Sequence, residues 1–483
     1  MKTLKYIIIL LILTFTLSSC EDFNTELDNP FTEDPTPQQT VSEQTSKQIF
    51  KNWFNTVGAY NGPGLAFTTM ADMNTCSWGN AGMRDTSSEP RIAWDNSSTY
   101  TNKDVTYKYF NSLYSILPDS NNLIKAINDG LELENPELTM CMARFGQAAS
   151  IGYLALVFDK VWISDETGTL NNGEPVTPSE AIEFALTQLD KAIALAENNS
   201  FTVDSDYIYG QTYSSTQFAQ YLNSFAARLI VNNARNSTQR DAIDWARVLN
   251  YANRGLEYDF LVTSDGWTNW KNEWTYYAVF PGWARIDMRI INMLDSNSTD
   301  YWTDPDGNEP PADSSDSRLV TDFQYLSSQD FIPSRGIYHY SNYRYKRYDG
   351  PLQGSGWTGA APEFLKAEND LYKAEAYLRL GMLTEAAAEV NSSTRTTRGN
   401  LPAVAANEDD IAEAIHYERS IELLNTAMGL GFFEMRRENK LQAGTLLHFP
   451  IPGKTLESSG LPVYTFGGDQ GVAGEDYSIS GWR

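Results

Sequence analysis

The chain has 483 residues, with 36 Lys or Arg against 62 Asp or Glu, a formal net charge of −26. That length buries a large core, and 41% hydrophobic with 20% charged residues excludes both a disordered chain and a multi-span membrane protein. Such an acidic chain is repelled by nucleic acid and by anionic lipid, so no nucleic-acid partner is expected, while 3 His and 3 Cys leave little for metal or nucleophile chemistry.

Lys2 and Lys5 precede an almost unbroken apolar run from Tyr6 to Leu17. A bilayer crossing takes about 20 residues, so this shorter run suits the apolar stretch of a signal peptide over residues 1–19. It ends in Leu17-Ser18-Ser19-Cys20, which resembles the bacterial lipobox, where the cysteine thiol is diacylated and becomes the new N-terminus. Cys20 is therefore the expected lipidation site, with membrane lipid as a partner through its acyl chains. Residues 20–45 are rich in Thr, Pro, Asp, Glu and Gln, and their prolines predict an extended tether. Glu21-Asp22 directly after the cysteine resembles the surface-export signal of Bacteroidetes lipoproteins, which implies an outer-membrane protein facing outwards. Cys76 and Cys141 remain. An oxidising compartment permits a disulfide between them, but Cys141 lies in an apolar helical segment and reads rather as a buried free thiol.

Residues 46–483 read as one body, mostly α-helical, with helix-rich stretches at about 101–258 and 363–440. Apolar residues recur at helical spacing from Met140 to Val161, and Thr177-Pro178-Ser179-Glu180 opens another helix that stops at Asn198-Asn199. Further helices are predicted over 215–232 and 240–255. In Leu371 to Val390, Gly381 followed by Glu385-Ala386 looks like the inter-helix turn of a tetratricopeptide repeat, and glycine there permits positive φ. The fold class is thus a tetratricopeptide-like helix-pair scaffold with large aromatic-rich loop insertions at about 61–100 and 259–362.

Those insertions carry the candidate ligand surface. The first holds Asp72, Trp78, Asn80, Arg84, Glu89, Arg91 and Trp94; the second holds Trp267, Trp270, Trp274, Tyr276, Tyr277 and Trp283. An aromatic face covers the C–H face of a sugar while carboxylates, amides and guanidinium groups bond its hydroxyls, and the same surface suits an extended peptide. Many such rings only fill space between loops and helices. Catalytic motifs are mostly absent: there is no P-loop, zincin motif or nucleophile elbow. Gly354-Ser355-Gly356-Trp357-Thr358-Gly359 spells a dinucleotide fingerprint, but Ala361-Pro362 follows where a helix should begin, so it reads as a loop. Glu413 and His416 make one Glu-x-x-His pair where a di-iron site needs two. In Asp304-Pro305-Asp306-Gly307-Asn308-Glu309 glycine stands too early for a calcium loop, so a tight turn is the default reading and calcium stays open as the one cofactor.

Several segments together resemble the SusD/RagB family of nutrient-binding lipoproteins. Ala143-Arg144-Phe145 with the helix to Phe158-Asp159-Lys160-Val161 is similar to the family's Ala-Arg-Phe helix, and Glu375-Ala376 to Asn391 to its alanine-rich helix pair. Glu418-Arg419-Ser420-Ile421-Glu422-Leu423, then Gly431-Phe432-Phe433-Glu434-Met435-Arg436-Arg437 and Phe449-Pro450-Ile451-Pro452, resembles the family's closing segment. Two positions depart from it: Gly431 stands where Arg often precedes the aromatic, and Asn391 to Gly399 lacks the usual arginine spacing. Glu418, Arg419, Glu422, Arg436 and Arg437 at helical spacing read as a buried charge network that holds the fold.

The resemblance implies a non-enzymatic receptor that captures a glycan or a peptide and delivers it to a SusC-like TonB-dependent transporter. It also implies a ligand surface in the loop carrying Asp72, Trp78, Asn80 and Arg84, with Trp94 and Trp283 as further members. A surface glycoside hydrolase and a purely structural surface protein are the rival classes. Replacing Cys20 by Ser is expected to move the protein from the membrane pellet to the soluble fraction on cell fractionation; retention in the pellet would refute lipidation.

Overall fold

The computed structural model describes residues 37–76, 79–168, 173–300, 307–329, 340–353, 356–468 and 477–478. Residues 42–483 form one compact unit and residues 1–41 another, of which only 37–41 are described. Cys20 and Trp78 therefore lie outside the described residues, as do residues 304–306 of the calcium-like segment. Of that segment's remainder, Asn308 donates to the Ser327 carbonyl (2.8 Å) and Glu309 accepts from the Asn342 amide (2.7 Å), both ordinary loop bonds.

The first helix, α1 (Pro37–Val57), begins within the stretch expected to be an extended tether. Proline is tolerated in a first helical turn, where its missing donor has no intrahelical partner to lose, so the composition that suggested a tether up to residue 45 is compatible with helix. Pro63–Met70 (α2) is a second helix missed by periodicity, because all its residues are buried and no polar face marks it. Then come α3 (Asp104–Asn128), α4 (Pro136–Val157), α5 (Pro178–Asn198), α6 (Ser215–Asn232) and α7 (Trp245–Asn253). Thr177 and Glu180 form the capping box that starts α5. The helix expected over 240–255 is broken: Asp244 caps Arg247 N–H at 3.0 Å, and α7 begins only at Trp245. Later helices are α8 (Lys366–Arg379), α9 (Leu383–Val390), α10 (Glu408–Ile421) and α11 (Leu430–Arg437). Gly381 between α8 and α9 has φ +75° with open space where a side chain would be, so backbone conformation alone selects glycine there.

Successive helices from α3 to α8 pack side by side, and α8 continues onto α9 and α10. The centre is α4, buried along nearly its whole length. It is long and apolar enough to cross a membrane, yet it is the core helix of this body. A Cβ on Gly152 would lie 2.7 Å from Leu229 of α6, so glycine there lets the two helices approach without displacing that side chain. Trp53 of α1 meets Phe145, Tyr153 and Phe225 edge-on at 5.4–5.5 Å. The Cys141 thiol is free and buried, and burial pushes its pKa far up, which makes it inert.

Buried ion pairs lock this arrangement. Arg228 of α6 is 0% exposed and grips Glu368 of α8 through Nε (2.7 Å) and Nη2 (2.8 Å), and Glu363 through Nη1 (2.6 Å). Arg318 does the same for Glu418 of α10 (2.7 Å) and for Glu422 just past its end (3.2 Å), and Arg437 of α11 reaches Glu375 of α8 at 2.7 Å. The closing segment is thus the charge network that its spacing implied, with one difference. Arg436 pairs with no carboxylate in this set; it donates to the carbonyls of Leu156, Leu447 and Asn232 at 3.1, 2.7 and 2.7 Å, which satisfies the C-terminal ends of α4 and α6. The departure at Gly431 also has a cause: a Cβ there would sit 1.7 Å from the sulfur of Met73.

Arg228→Met strands two buried carboxylates, so a loss of about 3–5 kcal/mol in urea unfolding is expected. Arg254→Ala, which removes an exposed pair with Glu197, is expected to cost under about 1 kcal/mol. Equal effects of the two substitutions would refute the ranking.

Candidate functional site

Short antiparallel strand pairs organise the two aromatic-rich insertions, and one of them ties the two together. β1 (Asn74–Cys76) pairs with β5 (Ala284–Ile286), which joins the insertions directly. Before β5 in sequence, β2 (Thr202–Val203) and β3 (Tyr213–Ser214) form a small pair of their own. β4 (Phe260–Asp265) pairs with β8 (Thr358–Phe364), and β6 (Phe323–Tyr325) with β7 (Tyr343–Tyr345). Backbone pairing satisfies the polar main chain of these segments and leaves their side chains to form a surface.

That surface is a continuous arc of aromatic rings. Trp267 lies 5.4 Å from Tyr276 and 6.3 Å from Trp357; Trp357 lies 5.0 Å from Tyr276 and 5.8 Å from Phe280. Phe280 touches Trp283 at 4.6 Å, Trp283 stacks on Tyr277 at 5.0 Å and 25°, and Tyr277 meets Tyr60 at 5.7 Å. The arc has two layers. Tyr276 and Tyr277 are buried, while Phe280, Trp283, Trp357 and Tyr60 are half-buried and Trp267 is 45% exposed. Offset and edge-on contacts of this kind fix ring orientation.

Local sequence explains each placement. The short helix Glu273–Val279 supplies the buried tyrosines, and the Trp274 amide docks it onto the Gly58 carbonyl at 3.1 Å. Phe280 ends that helix, and the Trp283 amide turns back to the Phe280 carbonyl at 3.1 Å. Asp265 at the end of β4 accepts the amides of Asn269 and Trp270 at 2.8 and 2.7 Å, closing the turn that presents Trp267. Trp357 precedes β8 with φ +71°, a conformation that costs a non-glycine residue about 1–3 kcal/mol. Tyr276 Oη donates to its carbonyl at 3.2 Å and helps hold it there, and burial raises the Tyr276 pKa so the phenol keeps its proton.

The residues nominated from sequence divide sharply. Trp283 is in the arc, and Asn80 adjoins it, donating to Tyr60 Oη at 2.6 Å. Arg84 is exposed on the short helix Met83–Thr86, against Gly79. Asp72 and Trp94, by contrast, are not ligand contacts. Asp72 is 3% exposed, pairs with Arg91 at 3.1 Å and accepts Gln442 Nε2 at 3.0 Å, so its carboxylate is consumed in tying this insertion to the C-terminal segment. Trp94 is also 3% exposed, edge-on to Phe449 at 4.9 Å and to Tyr100 at 5.2 Å; its large apolar area is spent in the core. Trp270 and Trp274 are core residues for the same reason. Tyr60, Phe280 and Trp357 were missed. For Trp357 a signal was present, since a tryptophan inside Gly354–Gly359 stands where only special backbone conformations fit.

Among the described residues no group of three or more His, Cys, Asp or Glu is placed to hold a metal ion. His416 lies with Nδ1 3.0 Å from Glu434, and burial lowers its pKa to about 3, so it stays neutral beside the network of α8 and α11. His416 is therefore part of the scaffold, while Glu413 is exposed.

Compared by sequence, neither a family model nor a curated protein matches the chain. Compared by structure, it is similar to surface glycan-binding protein A from Bacteroides uniformis, with a TM-score of 0.60 and 14% identity over 88% of this chain and 98% of that one. A SusD superfamily protein from Parabacteroides distasonis gives 0.61 at 14% identity, over 87% and 98% of the two chains. A SusD-like carbohydrate binding protein from Bacteroides vulgatus gives 0.56 at 14% identity, over 83% of each. The chain thus has the SusD-like fold, as its closing segment and helix pairs implied.

Asp72→Ala leaves Arg91 buried without its carboxylate, and a destabilisation of about 3 kcal/mol or more in chemical unfolding is expected. Asn80→Ala, at the surface, is expected to stay within about 0.5 kcal/mol. A neutral Asp72→Ala would restore that carboxylate as a ligand candidate.

Proposed function

We propose that this protein is a lipid-anchored receptor of the outer-membrane surface, which captures an oligosaccharide on the aromatic arc and passes it unaltered to a SusC-like TonB-dependent transporter. The arc of Trp267, Trp357, Phe280, Trp283 and Tyr60 is the observation that carries this reading. Flat faces in fixed orientation match the C–H faces of successive sugar rings, while Asn80 at its edge offers an amide to hydroxyls. A rigid platform loses little conformational freedom on binding, so the apolar area it covers is available as affinity. The fold shared with proteins named for glycan or carbohydrate binding supports the glycan over other ligands, and the lipobox-like leader suits an extracellular ligand of either kind.

The test is calorimetry against glycans recovered with the protein from its native membrane. Trp357→Ala and Trp283→Ala are each expected to weaken binding by about tenfold, the equivalent of one to two kcal/mol of lost ring burial, with unfolding midpoints little changed. Peptides in place of glycans among the recovered molecules would move the assignment to peptide capture. Release of new reducing ends on incubation would replace the receptor with a hydrolase.

A further inference from the structure

Behind the Tyr60 end of the arc lies a cleft of about 450 Å³. Its walls come from the second half of α1, the turn at residues 59–62, the start of α3, and Glu273. Ala59, Asn61 and Gly62 line it, while Tyr60 from the same turn lies against Tyr277 in the arc. The junction is braced: the Tyr60 amide donates to Glu273 Oε2 at 3.0 Å, and Glu273 heads the helix that carries Tyr276 and Tyr277. Asn55 clamps the same corner, donating to the Asn269 carbonyl at 2.7 Å and accepting the Lys271 amide at 2.9 Å. Arc and cleft therefore belong to one rigid surface.

The chemistry of the cleft differs from that of the arc. Its charges are already engaged: Lys108 pairs with Asp104 at 2.8 Å, and Glu273 with Lys271 at 3.6 Å. Asn52 and Asn61 are exposed and Ser112 is half-buried, and among the described residues none of their side chains takes a hydrogen bond. Amides and hydroxyls with both donor and acceptor capacity, and no spare charge, suit a ligand of many hydroxyls and no net charge.

Resting on the glycan reading of the arc, we infer that this cleft is a second saccharide subsite, which takes the far end of a long, uncharged oligosaccharide whose other units stack on the rings. The pairing gives the protein a preference for chain length: short sugars reach the arc alone, and only longer ones span both.

The experiment uses the full mature protein and ladders of α-glucan, β-glucan, xylan and mannan oligosaccharides from two to eight units, with hexagalacturonate as the charged counterpart. Two variants probe the cleft: the double substitution Asn52→Ala, Asn61→Ala removes its free amides, and Ser115→Trp, at an exposed lining position, fills it. Both are expected to weaken the longest neutral oligosaccharides about tenfold, as for two lost hydrogen bonds, and to leave disaccharides within about twofold. Trp357→Ala is expected to weaken every length. Unchanged affinity of both cleft variants for octasaccharides, while Trp357→Ala still weakens them, would overturn the subsite and leave the arc standing. Tighter binding of hexagalacturonate than of any neutral hexasaccharide would overturn the assignment to uncharged chains. No effect of Trp357→Ala at any length, or no binding of any ladder, would overturn the subsite and the glycan reading together.

Discussion

A guanidinium group taken out of water has to meet its donors with acceptors supplied by the fold, or the charge costs several kcal/mol. This protein buries Arg228, Arg318, Arg436 and Arg437 almost completely, and their partners come from distant parts of the chain. Arg228 of α6 holds α8 and the end of β8, Arg318 holds α10, and Arg437 holds α8. Arg436 holds the ends of α4 and α6 without any acid. A helix displaced from this arrangement would strand a charge in the interior. The network therefore selects one packing among the many that a set of amphipathic helices could adopt.

The same network reaches the candidate site. Glu363 and Phe364 close β8; the first pairs with Arg228 and the second lies under its guanidinium at 3.9 Å. At the opposite end of that strand stands Trp357, and across from it Asp265 shapes the turn that bears Trp267. Two rings of the arc are thus presented by a strand pair bolted into the helical core. Tyr276 and Tyr277 ride on a helix docked against Gly58, Phe280 and Trp283 follow its end, and Tyr60 comes from the turn between α1 and α2. Scaffold and surface are mechanically one piece, which is what a binding platform needs if its affinity is not to be lost in ordering loops.

The fate of the acidic and aromatic residues shows how context divides identical chemistry. Asp72 and Trp94 share the insertion with Asn80 and Arg84, yet the first two are buried and the last two are exposed. A Trp in a loop offers either a face to a ligand or area to a core, and burial decides between them. Here the C-terminal segment settles the matter, since Gln442 covers Asp72 and Phe449 covers Trp94. Neither partner is near in sequence.

What the sequence alone determined is whatever short-range rules govern. The helix pairs, the capping box at Thr177, the glycine turn at Gly381, the buried thiol of Cys141 and the fold-holding charges of the closing segment are all written in spacings of three to four residues. Only the tertiary structure decided which rings face outwards, because the arc is assembled from Tyr60, a helix at 273–279, a turn at 267 and a loop at 357 that meet through strand pairs and buried contacts. No local pattern encodes that meeting; it follows from which segments bury their neighbours, and burial is a property of the whole fold.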